Sequence, residues 1–153
     1  MDGISIGSLV GISLIAGIIA TAGMTIFLQV VSKTGIANAD MVRALGSLFT
    51  KKLDNAFGVG LTIHTISGIF FAFFYTLAIT ALNVHGLPSS IGSGILIGFI
   101  HGGVVSFLLV ASVAENHPLP QFQKAGFSVA AAHWIAHLIY GFIIGLTIGL
   151  IGY

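Results

Sequence analysis

The chain has 153 residues, 56% of them hydrophobic and only 6% charged, and its mean hydropathy is +1.10. A water-soluble domain, in which about a quarter of residues are charged, is excluded by that composition. A net charge of +1 on basic residues not interleaved with aromatics argues against nucleic-acid binding, and the lack of cysteine removes disulfides and thiolate metal sites.

Four apolar stretches, at 4–31, 56–82, 91–114 and 127–151, are long enough to cross a hydrocarbon core of ~30 Å, which takes about 20 helical residues. The expected fold is therefore all-α: one four-transmembrane-helix bundle spanning residues 1–153. The first stretch follows Asp2 rather than a basic segment and exceeds the ~7–15 residue core of a signal peptide, so it is expected to remain in the mature protein. It carries two series of small residues, Gly3, Gly7 and Gly11, then Ser13, Gly17 and Thr21. At ~100° per residue these series lie on different faces, one for the bundle and one for a neighbour.

The connection 32–55 holds Val42, Leu45, Phe49 and Leu53 at helical spacing, with Arg43, Ser47, Lys51 and Lys52 between them. That pattern predicts a short interfacial helix, with Asp40 near its start and lysines near its end as the helix dipole favours. The second stretch presents Gly60, His64, Gly68 and Ala72 along one stripe, together with Phe70, Phe71, Phe73, Phe74 and Tyr75. A hairpin is expected around Asn83, Gly86 and Pro88. The third stretch carries Gly94, Gly98, Gly102 and Ser106, with His101 three residues after Gly98. The fourth carries His133, His137, Gly141, Gly145 and Gly149. In lipid, small residues at this spacing mark where helices touch, so Gly7, Gly11, Gly17, Gly68, Gly98, Gly102, Gly141 and Gly145 are the expected packing positions.

All five basic residues, Lys33, Arg43, Lys51, Lys52 and Lys124, flank or occupy the loops 32–55 and 115–126. The positive-inside rule places those loops in the cytoplasm and both termini outside. The two halves resemble a tandem duplication of a two-helix unit. Gly17 corresponds to Gly94, 77 residues on, and His64-x3-Gly68 to His137-x3-Gly141, 73 residues on.

Four histidines fall at depths where an unpaired polar group costs several kcal/mol. One expectation is a hydrogen-bonded core, with Thr21, Thr25, Thr62, Ser67, Tyr75, Ser106, Tyr140 or backbone carbonyls as partners. Another is a ligand set. His133 and His137 at i and i+4, joined by His64 and His101, would make a nitrogen-rich copper or zinc site. His64 and His137 could instead bind a b-type haem axially, although the spans offer no arginine for its propionates. Glu115 and His117 lie at the cytoplasmic end of the third stretch.

At His64-x3-Gly68 with Tyr75, and at His137-Leu138-Ile139-Tyr140-Gly141, the chain resembles small uncharacterised four-helix membrane proteins of bacteria and archaea. The resemblance implies a compact helical domain in a prokaryotic cell membrane and no particular chemistry. The spans contain no paired carboxylates, and no GxSxG or P-loop motif occurs. The expected function is a non-catalytic subunit of a larger membrane complex or homo-oligomer. A histidine-ligated haem or metal protein is the first alternative, a small-solute transporter or channel the second.

Overall fold

The structure, a computed structural model, describes residues 4–84, 86–108 and 113–152. Asp2, Gly3 and the 109–112 segment of the third expected span lie outside the described residues. Helices run in the order α1 (Ile6–Lys33), α2 (Met41–Thr50), α3 (Ala56–Ala81), α4 (Leu87–Leu108), α5 (Ala114–Asn116) and α6 (Phe127–Ile151). Four of them, α1, α3, α4 and α6, are long and apolar enough to cross a membrane. Hydroxyls within these helices bond back to the preceding turn: Ser13 to the Leu9 carbonyl, Thr76 to Ala72, Thr80 to Thr76 and Thr147 to Ile143. That habit satisfies a polar side chain where there is no water.

α4 begins at Leu87 instead of residue 91, so the hairpin at that end is shorter than the sequence implied. The difference comes from Pro88, which a helix tolerates in its first turn because that N–H has no intrahelical acceptor. Ser90 then returns a hydrogen bond to the Gly86 carbonyl at 2.9 Å.

The helices pack in the spatial order α3, α1, α6, α4, and α4 with α6 is by far the most extensive pairing. A Cβ on Gly94 would strike the Gly141 carbonyl oxygen, and one on Gly141 the Gly94 carbonyl oxygen, so the two backbones are in direct contact. Gly98, Gly102, Gly145 and Gly149 extend this seam. α1 meets α3 more loosely. A Cβ on Gly17 would lie 2.8 Å from Ile69 Cα, while Gly68 is covered by the Thr21 side chain. The corresponding positions of the two halves are therefore the ones that touch, Gly17 with Gly68 and Gly94 with Gly141. Thr21 in the first half, where the second has Gly98, fills space that the backbones otherwise close.

Gly7 and Gly11 do not pack inside the bundle: a Cβ on Gly11 would meet nothing within 4 Å, and one on Gly7 only its own Ser5 hydroxyl. The outer surface is apolar, with Ile26, Phe70, Leu96, Ile100 and Phe107 each more than half exposed. This is the face that bilayer chains cover.

α2 lies against the bundle instead of floating beside it. Asp40 caps it by accepting from the Arg43 amide at 3.1 Å and pairs with the Arg43 guanidinium at 2.6 Å. Of the expected apolar face, Val42 is buried and Leu45 partly so, but Phe49 and Leu53 are exposed. The contact is made instead by Gly46 and Ser47, because Gly46 fits against the Ala56 carbonyl and Gly60 against that of Val42. Two glycines opposite each other allow the α2 and α3 backbones to meet.

Candidate functional site

α3 and α4 barely touch, although each packs well on another helix. Between them a half-open cleft of about 190 Å³ is floored by Met24 of α1 and by His137 and Tyr140 of α6, and closed at one end by Met41 and Leu45 of the α2 region. Its walls bring together His64 of α3, His101 of α4 and His137. No charged side chain lines it.

Backbone carbonyls and a tyrosine hold the rings of α4 and α6. His137 Nδ1 lies 2.8 Å from the His133 carbonyl, and His133 Nδ1 lies 2.7 Å from that of Val129. A carbonyl can only accept, so both Nδ1 atoms carry protons, and in the neutral rings each Nε2 presents a lone pair. His101 Nδ1 shares a 3.0 Å hydrogen bond with the Tyr75 hydroxyl. The Tyr140 hydroxyl donates to the Gly68 carbonyl. Rings complete the cluster: Phe71 and His101 centroids are 4.5 Å apart, His101 and His137 5.1 Å, and Tyr75 and Tyr140 5.4 Å. The Nε2 atoms of His64, His101 and His133 are buried without a protein partner, as are the hydroxyls of Thr21, Thr25 and Ser106.

His133, one turn nearer the charged end than His137, lines a second cavity of about 60 Å³ beside Asp40, His117 and Gln121. That space is enough for a few waters. The separation matters for the expected metal centre: among the described residues no three His, Cys, Asp or Glu side chains converge as a ligand set. The i, i+4 pair does not join in one site, because His133 and His137 line different cavities. A haem between His64 and His137 also fits poorly. The cleft is close in size to an apolar cavity of ~150 Å³ that holds one benzene, well short of a porphyrin.

His117, at the C-terminal end of α5, is buried between the two charged-end loops. Its Nδ1 accepts from the Leu119 amide at 3.0 Å, which assigns the proton to Nε2, 3.0 Å from the Ala44 carbonyl. Gln123 donates to the His117 carbonyl at 2.7 Å, and Asn38 to the Gln121 carbonyl at 3.0 Å. The connections before and after the α3–α4 hairpin are thereby clasped together, and α2 is fixed over one end of the cleft. Glu115 is exposed. Sequence reasoning missed the clasp and the Gly46 contact; the signal available was a glycine interrupting an otherwise amphipathic helix. No family model, curated protein or solved structure matches the chain.

Proposed function

We propose that this chain handles a small uncharged solute, which it binds in the cleft between α3 and α4. The observation that carries this reading is the convergence of His64, His101 and His137, from three helices, on one cavity without charged groups. Empty space there forgoes packing contacts and the Nε2 atoms of His64 and His101 go without a protein partner, and both cost free energy. An occupant with its own hydrogen-bonding groups removes both costs. With no carboxylate in the spans to offset a cation, an uncharged molecule fits best.

Thermal unfolding of the detergent-purified protein with urea, glycerol, phenol and toluene tests this. At least one should raise the midpoint of the wild type by a few degrees while leaving Val105→Phe, which fills the cleft, unaffected. No stabilisation by any of them would remove the reading.

The two charged-end loops carry or adjoin all five basic residues, which supports a cytoplasmic position for 32–55 and 115–126. A cysteine at exposed Ser89 should then react with an impermeant reagent outside intact cells, and one at exposed Lys52 should not. A second reading, as a subunit of a membrane complex or homo-oligomer, is favoured by Gly7 and Gly11, which the bundle leaves open. Gly7→Leu should release partners in mild detergent while leaving the chain folded. Unchanged assembly size would remove that reading.

A further inference from the structure

We infer that the occupant of the cleft is a membrane-dissolved hydroxy-aromatic molecule, a phenol or hydroquinone ring whose hydroxyl donates a hydrogen bond to Nε2 of His137. This rests on the solute-binding reading above and narrows it. The polar groups that α6 contributes to the cleft are acceptors. His137 has its proton committed at Nδ1 to the His133 carbonyl, and Tyr140 has its own committed to the Gly68 carbonyl. A ligand that only accepts would leave these lone pairs unmatched, whereas a hydroxyl satisfies one.

The remainder of the lining selects the body of the molecule. Met24, Ile63, Phe71 and Val105 are apolar, and the Phe71 and His101 rings, 4.5 Å apart, offer an aromatic wall. A volume of about 190 Å³ admits one substituted ring. Entry is set by the fold. The cleft lies between two membrane-spanning helices that barely meet, and on the faces flanking it Phe70, Phe74 and Val104 are about half exposed to the bilayer. A lipid-soluble molecule reaches the site sideways.

Fluorine NMR of the full chain in detergent micelles, titrated with para-fluorophenol and para-fluoroanisole, tests the inference, since the second replaces the donated proton with a methyl group and keeps the fluorinated ring. Fluorophenol should bind about fivefold more tightly, the effect of one neutral hydrogen bond. Val105→Phe should abolish the saturable shift, and His137→Phe should reduce fluorophenol to the level of fluoroanisole. If His137→Phe does not fold, the two-ligand comparison and Val105→Phe still decide. Equal binding of both rings, or binding that survives Val105→Phe, overturns the hydroxy-aromatic assignment. Stabilisation by urea or glycerol with no fluorophenol binding overturns it too, yet leaves the solute-binding reading standing. Failure of every probe removes both.

Discussion

The seam between α4 and α6 and the gap between α3 and α4 have the same helix on one side and opposite outcomes. Along the seam, Gly94, Gly98, Gly141 and Gly145 let backbone meet backbone. Across the gap, α4 offers His101 and Val105 while α3 offers His64 and Phe71, and side chains of that size keep the axes apart. In lipid there is no hydrophobic drive to close such a space, so helix approach follows side-chain size and polar contacts. The bundle is thus tight where the small residues are paired and open where the chemistry-bearing residues are.

The largest effect should come from breaking the seam. Gly141→Leu places a branched side chain against the Gly94 carbonyl, which cannot yield without moving the whole helix. A loss of about 3 kcal/mol or more is expected, read as absence of a monodisperse peak in size-exclusion chromatography. Recovery at wild-type yield would show that α4 and α6 are not in backbone contact. Next in size is His117→Ala, which removes a buried ring and orphans the Leu119 amide and the Ala44 carbonyl. It should cost about 2–3 kcal/mol. Hydrogen exchange should quicken in α2 and in residues 113–126 while the seam amides keep their protection. Uniform acceleration along the chain would deny the clasp a local role.

Tyr140→Phe, at the floor of the cleft, removes one hydrogen bond to Gly68 and should lower stability by about 1 kcal/mol with the helix order unchanged. A change below the error of a denaturation curve would mean that this bond is not formed in the membrane. The smallest effect belongs to Gly11→Leu, expected within about 0.5 kcal/mol of wild type because nothing in the chain stands opposite Gly11. A large loss there would place an uncounted packing partner on α1.

Much of the fold was legible because span length and the absence of charge leave few alternatives: the expected 127–151 helix is found as Phe127–Ile151 and the 56–82 helix as Ala56–Ala81. Which stripes pair was half legible. Gly17 and Gly94 could be identified as contact positions, yet the pairing of α1 with α6 and the parting of α3 from α4 depend on side-chain bulk summed across three helices. The convergence of His64, His101 and His137 followed from depth and face. The separation of His133 did not, because an i, i+4 spacing sets a shared face but also a step of ~6 Å along the helix, and here that step carries His133 to a different cavity. His117 was opaque for a different reason, since the Ala44 carbonyl it bonds belongs to α2, 73 residues away.

The central claim, that an accessible cleft separates α3 from α4, is tested most directly by single cysteines at Val104, Val105 and Ser106, in a chain that has no native cysteine. These neighbours share one depth but face lipid, the cleft and the sealed interior in turn, with Val104 56% exposed and Ser106 1%. Alkylation by N-ethylmaleimide, small and uncharged, should be measurable at 104 and 105 and at least about tenfold slower at 106. Added para-fluorophenol should slow the reaction at 105 alone. Equal rates at 105 and 106, both far below 104, would contradict the account by showing that α3 and α4 are closed against each other.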